Sequence, residues 1–146
     1  RYLDDNIETL IRRNTETTGA CFAMVDVDRF GTLNKTYGSV FCDTILLAIT
    51  EVFKATFDHQ DTLIRYGGDE FCFIVSGSLE RAETLCRNVC QGVNAIRFSE
   101  HPELVVSCSI GLVPCAHNDS VQDILKHSDE ALYRAKEAGR NRVCTA

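Results

Sequence analysis

Two carboxylates stand side by side at a turn: the run TLIRYGGDEFCFIV, residues 62–75, is two β-rich stretches joined by Gly67-Gly68-Asp69-Glu70. A glycine pair supplies the positive φ angles that a tight hairpin needs and lets a ligand come close to the backbone. Acids at such a tip are hard oxygen donors of the kind that bind Mg2+. An ordinary Gly-Gly turn with two solvated acids fits the same residues. A second acidic pair, Asp26 and Asp28, closes the run ACFAMVDVD at 20–28. Strand-end aspartates commonly cap loops. If the 20–27 strand neighbours the hairpin, however, Asp26 and the tip converge and two carboxylates face one site.

The elements that must position these acids are legible from periodicity. Residues 20–27 begin as a continuous apolar run, the mark of a strand covered on both faces and central in its sheet. Residues 39–57 carry Val40, Phe41, Ile45, Leu46, Ile49, Val52 and Phe53 at helical spacing, and 79–97 carry Leu85, Val89, Val93 and Ile96 likewise. ELVVSCSIGLVP at 103–114 reads as a strand. Ser120 caps a last helix with Asp123 at its third position and Gly139 as its stop. A shorter helix is expected over 4–17, with Ile7, Leu10 and Ile11 on one face. The order β-α-β-β-α-β-α describes a mixed sheet with helices packed on it.

Composition bounds the rest. A chain of 146 residues, 45% hydrophobic and 25% charged, suits one globular domain. A net charge of −6 and a pI near 5.1 argue against nucleic-acid binding, which draws its affinity from a basic face. No apolar run approaches the roughly 20 residues of a membrane span, and RYLDDNIETL is not a signal peptide. Eight cysteines without a Cys-x-x-Cys pair read as reduced, structural thiols in a cytoplasmic compartment, within a parent protein that could itself be membrane-tethered.

The string Arg65-Tyr66-Gly67-Gly68-Asp69-Glu70-Phe71 resembles the signature of the GGDEF family, the diguanylate cyclases. Asp26-Val27-Asp28-Arg29-Phe30, followed by Asn34, Tyr37-Gly38 and Asp43, is similar to that family's substrate segment. Ser107 to Gly111, Asp129 to Lys136 and Gly139-Arg140-Asn141 resemble its closing strand and helix. The resemblance implies an α+β fold, a mixed-sheet palm of ferredoxin-like, nucleotidyl cyclase type. It implies a single GGDEF domain over 1–146, cut from a longer sensor protein and lacking the family's N-terminal lead-in. The implied reaction condenses two GTP into cyclic di-GMP and releases two pyrophosphates. One domain offers one triphosphate site, so a homodimer is required, and an upstream sensory or dimerisation domain is the expected partner.

The resemblance also implies roles. Asp26, the backbone carbonyl of Val27 and Asp69 would bind Mg2+, with Mn2+ as an alternative ion. Asp69 and Glu70 would be catalytic, Asp69 helping to deprotonate an attacking 3′-hydroxyl. Phe30, Asn34, Asp43, Gly67, Gly68, Lys136 and Arg140 would contact substrate. A carboxylate at Asp43 can accept from guanine N1–H and the exocyclic amine together, which adenine cannot match; a first-turn acid stabilised by the helix dipole is the plainer reading. Lys136 and Arg140, four apart on one helical face, would hold phosphates, although such pairs commonly lie on a solvated face.

Departures from the pattern also carry weight. Gly31 stands where the family has a phosphate-contacting lysine, leaving Arg29 as a substitute cation. Lys35 replaces an acid, Ser39 a histidine, and Cys42 the glycine before Asp43, where a side chain would crowd the base. The family's inhibitory product site, built on Arg-x-x-Asp, is here Asp58-His59-Gln60-Asp61, without the arginine. The alternative function is a GGDEF module that binds GTP without turning it over and regulates a partner. A palm-type cyclase for another nucleotide is disfavoured by Asp43.

Overall fold

A computed structural model of the chain describes Thr9 and residues 19–65, 67–116 and 119–146. The helix expected over 4–17 lies, Thr9 apart, outside the described residues. The elements are β1 (Ala20–Val27), α1 (Phe30–Thr56), β2 (Thr62–Arg65), β3 (Glu70–Ser76), α2 (Leu79–Asn94), β4 (Cys108–Cys115), α3 (Val121–Glu137) and β5 (Val143–Thr145). They form one sheet in the order β2-β3-β1-β4-β5. β1 runs antiparallel to β3 and β4, while β4 and β5 are parallel, so the sheet is mixed and the fold α+β.

The central place of β1 follows from its two apolar faces. Cys21, Ala23, Val25 and Val27 pack with the apolar stripes of α1 and α2. Ala20, Phe22 and Met24 face the other way, onto α3. Strand periodicity puts Asp26 next on that second face, where the apolar register ends. On α1 the stripe Cys42, Ile45, Leu46, Ile49 and Phe53 is buried, each large side chain contributing about 1.5–3 kcal/mol of transfer free energy. By length and composition α1 is apolar enough to cross a membrane, contrary to the expectation from apolar runs; in this fold the stripe packs on the sheet.

Three elements differ from their sequence-based bounds. α1 starts at Phe30 rather than 39 and runs through Gly38, whose φ of 83° and ψ of 162° break the helical path. β4 starts at Cys108 rather than 103, because the preceding chain is held elsewhere: Leu104 and Val106 are buried, the Leu104 N–H donates to the His101 carbonyl, and the Val106 carbonyl accepts from the Asn94 side chain of α2. β5 adds a strand too short for its pattern to be read. All eight cysteines are free, seven of them buried. Burial raises the Cys21 thiol to about 11 and Cys72 and Cys115 to about 12, so these groups stay protonated and pack as small hydrophobes.

Gly111 decides how closely α3 approaches the sheet. A Cβ there would lie 2.2 Å from the Ser128 carbonyl oxygen and 2.4 Å from the Leu132 nitrogen, both helix backbone. Gly111→Ala is therefore expected to cost about 1–3 kcal/mol or more, by forcing α3 off β4. At Gly31 a Cβ would meet nothing within 4 Å, and the residue is helical, so Gly31→Ala should be neutral or stabilising by up to about 1 kcal/mol. Urea unfolding of the two variants checks both signs.

Candidate active site

The strand register brings the acids together. Asp26 lies opposite Glu70 of β3 and Ser109 of β4, and the Val27 N–H donates to the Asp69 carbonyl at 3.2 Å. Lys136 of α3 donates to Asp26 Oδ2 and forms its ion pair. The other carboxylate oxygen, Asp26 Oδ1, is buried and has no hydrogen-bond partner among the described residues. Burial pushes the Asp26 carboxyl above its usual range, Lys136 pulls it back, and the neighbouring Asp69 pushes it up again. Two crowded carboxylates with an unsatisfied oxygen fit a divalent cation. Among the described residues no group of three or more His, Cys, Asp or Glu forms a metal cluster. Mg2+ needs only one or two carboxylates when it also takes phosphate oxygens and water, so the donor set fits that ion.

The hairpin differs from its sequence reading in one respect. Neither Gly67 nor Gly68 is among the glycines with positive φ. A Cβ at Gly67 would sit 2.6 Å from Glu70 Oε1, so the Glu70 side chain folds back over Gly67, while nothing lies within 4 Å of a Cβ at Gly68. Arg65 pins the loop: its Nε and Nη2 donate to the carbonyls of Gly67 and Gly68 at 3.3 and 2.7 Å.

Lys136 and Arg140 do not share a helical face. α3 ends at Glu137 in a Schellman turn, with Gly139 at φ 125°, the Gly139 N–H on the Lys136 carbonyl and the Arg140 N–H on the Ala135 carbonyl. Arg140 and Asn141 then both adopt left-handed φ, 64° and 54°. The Asn141 N–H donates to Asp28 Oδ2 at 3.1 Å, and the hydroxyls of Ser107 and Ser109 each donate to Asp28 at 2.6 Å. Asp28 is thus a buried tie holding the Arg140 loop against the end of β1. Its oxygens are already engaged, unlike Asp26 Oδ1. The Ser-x-Ser spacing opposite an Asp-x-Asp was the available signal for this network.

The proposed base contacts lie on α1. Asn34 and Asp43 are exposed, and Phe30 packs partly against the core. Asp43 lines a pocket of ≈ 220 Å3 with Leu46, Leu47, Thr50 and Arg65. Cys42 is buried in the core beneath α1, so it does not crowd this pocket. At the product-site position, Asp61 and Asp58 both bind Arg81 of α2, at 3.0 and 3.3 Å, and Asp61 also accepts the Ser76 N–H; this cluster is a structural tie between helix and sheet.

A family profile described as "Diguanylate cyclase, GGDEF domain" matches residues 1–142. The probable diguanylate cyclase DgcC of Escherichia coli K12 is 34% identical over 143 residues, covering 97% of this chain and 38% of that protein. The active GGEEF domain of a diguanylate cyclase from Vibrio cholerae aligns with a TM-score of 0.87 at 28% identity, over 99% of this chain and 94% of that one. The coiled coil and GGDEF domain of DgcB from Caulobacter crescentus, in complex with c-di-GMP, aligns at 0.88 and 25% identity, over 99% of this chain and 78% of that one. The chain belongs to the GGDEF, diguanylate cyclase domain family. It spans well under half the length of DgcC.

If Asp28 is the tie, Asp28→Ala leaves three donors without their charged acceptor and should cost about 3 kcal/mol or more. Chemical denaturation reads this directly, and a loss below about 1 kcal/mol would refute the assignment.

Proposed function

We propose that this domain is a diguanylate cyclase that joins two GTP molecules into cyclic di-GMP across a homodimer. The observation that carries the reading is Asp26 meeting Asp69 with a buried, unpaired carboxylate oxygen, beside an open Gly68 turn. Asp26, Asp69 and the Val27 carbonyl would hold Mg2+, or Mn2+. When bound, the ion neutralises charge on the triphosphate during phosphoryl transfer. Lys136 and Arg140 supply cations to the β- and γ-phosphates from two separate elements, the helix end and the tied loop. Asn34 and Asp43 select guanine, Phe30 contacts the substrate from the start of α1, and Gly67 and Gly68 leave room for the phosphates.

Each 3′-hydroxyl then attacks the α-phosphorus held by the partner. Asp69, with Glu70 beside it, takes the proton, the α–β bridging bond breaks and pyrophosphate leaves. Dimerisation and signal input come from an upstream segment of a longer parent, and the unpaired thiols suit a cytoplasmic site of action. In the alternative reading the domain holds GTP and regulates a partner without turnover.

A coiled-coil-fused dimer incubated with GTP and Mg2+ should yield cyclic di-GMP by mass, and Asp69→Asn should cut the rate about a hundredfold or more, some 3 kcal/mol of transition-state stabilisation. No product from the unsubstituted dimer, with GTP still bound, would favour the regulatory module. Unchanged turnover in the variant would remove Asp69 from the mechanism.

Gly31 offers a second test. A Cβ meets nothing there, so the lysine of Gly31→Lys can extend toward the phosphates without strain. GTP binding is expected to tighten by up to about 1.5–3 kcal/mol, read by calorimetry. Weaker binding would mean that Gly31 is needed for its backbone conformation and that Arg29 or another group already covers the phosphates.

A further inference from the structure

α1 carries its base-reading residues on opposite sides of a break. Asn34 lies before Gly38 and Asp43 after it, so the angle across Gly38 sets the distance between them. No helical hydrogen-bond path fixes that angle, because Gly38 is at φ 83° and ψ 162°. A neighbouring turn does. Phe98 and His101 form a β-bridge, the His101 N–H donates to the Phe98 carbonyl at 3.1 Å, and the Leu104 N–H donates to the His101 carbonyl at 3.0 Å. Phe98 and Leu104 are buried, so the turn is anchored at both ends in the core.

His101 from this turn contacts both sides of the break. Its ring lies 4.7 Å from Tyr37, the residue before Gly38, and 4.6 Å from Phe41 beyond it, edge-on to both. The Tyr37 hydroxyl donates to Glu103 Oε2 at 3.0 Å, and His101 Nδ1 stands 3.7 Å from the same oxygen. Phe41 rests on Phe98 at 5.4 Å. The turn therefore grips the chain before and after the break.

We infer that Tyr37, His101 and Glu103 are positioning residues that fix the angle at Gly38 and so set the spacing of Asn34 and Asp43 for guanine. This rests on the reading of those two residues as the base pocket. They act on base affinity and leave the phosphate grip, which belongs to Lys136 and Arg140, unchanged.

The test uses the full chain with Mg2+ and two ligands: the α,β-methylene analogue of GTP, which cannot release pyrophosphate, and inorganic tripolyphosphate, which has no base. Tyr37→Phe removes one hydroxyl; His101→Leu keeps an apolar contact but loses the ring and its nitrogen. Each should weaken the guanosine ligand about three- to tenfold and leave tripolyphosphate unchanged. Asp43→Ala is the control for the pocket itself. A loss of guanosine affinity in Asp43→Ala with none in the two turn variants overturns the inference and leaves the pocket standing. Equal losses for both ligands in the turn variants also overturn it, as a general structural effect. Full guanosine affinity in all three variants overturns the pocket and the inference together.

Discussion

A carboxylate at the end of a buried strand has to find a positive partner or give up its charge, and the fold is arranged around that requirement at Asp26. Moving a charge into a low-dielectric site costs several kcal/mol unless it is paired. Lys136 supplies the pairing, and it reaches Asp26 only because α3 lies close enough on the sheet for its backbone to touch Gly111. A glycine in one strand thus lets an acid in the next meet its ion-pair partner. The same carboxylate keeps one oxygen unsatisfied, so the pairing is incomplete and a stronger cation has an acceptor waiting.

Much of this was legible in the residues. The apolar run at 20–27 announced a central strand, the helical stripes announced α1 to α3, and the hairpin placed Asp69 beside Asp26, as its pairing with β1 then required. The misreadings share a cause. The apolar spacing predicts a helix only from residue 39, because the stretch before Gly38 is mostly polar and exposed, yet α1 starts at Phe30 and continues past the break. A Gly-Gly hairpin predicts positive φ at Gly67 and Gly68; neither adopts it, the Glu70 side chain lies against Gly67, and nothing stands near a Cβ at Gly68. A spacing of four predicts one helical face for Lys136 and Arg140, and the Schellman turn at Gly139 breaks that count. Local spacing predicts faces only while the regular backbone lasts.

The second aspartate of Asp26-Val27-Asp28 shows what sequence patterns leave out. Asp26 lies at the end of β1 and Asp28 just past it, yet Asp28 accepts from two serines and a backbone N–H while Asp26 keeps an open oxygen. Nothing in the tripeptide distinguishes them. The difference lies in what β4 and the loop after α3 bring alongside. By holding the left-handed pair Arg140-Asn141, Asp28 stabilises a backbone conformation that non-glycine residues rarely adopt.

The departures from the family pattern divide the same way once the packing is known. Cys42 replaces a glycine but points into the core, where a thiol is a tolerable small hydrophobe, so its consequence is for packing rather than for the base. Ser39 is exposed just past the break, and Gly31 faces open space on the first turn of α1. Of the three, only Gly31 stands where the resemblance implies a phosphate-contacting lysine, and a side chain there would disturb nothing around it. On the proposed reading the positive charge for a triphosphate would fall mainly to Lys136, Arg140 and Arg29, and Lys136 is paired with Asp26. A divalent cation at Asp26 would therefore do two things at once: neutralise the carboxylates and free Lys136 for the phosphates it is proposed to hold.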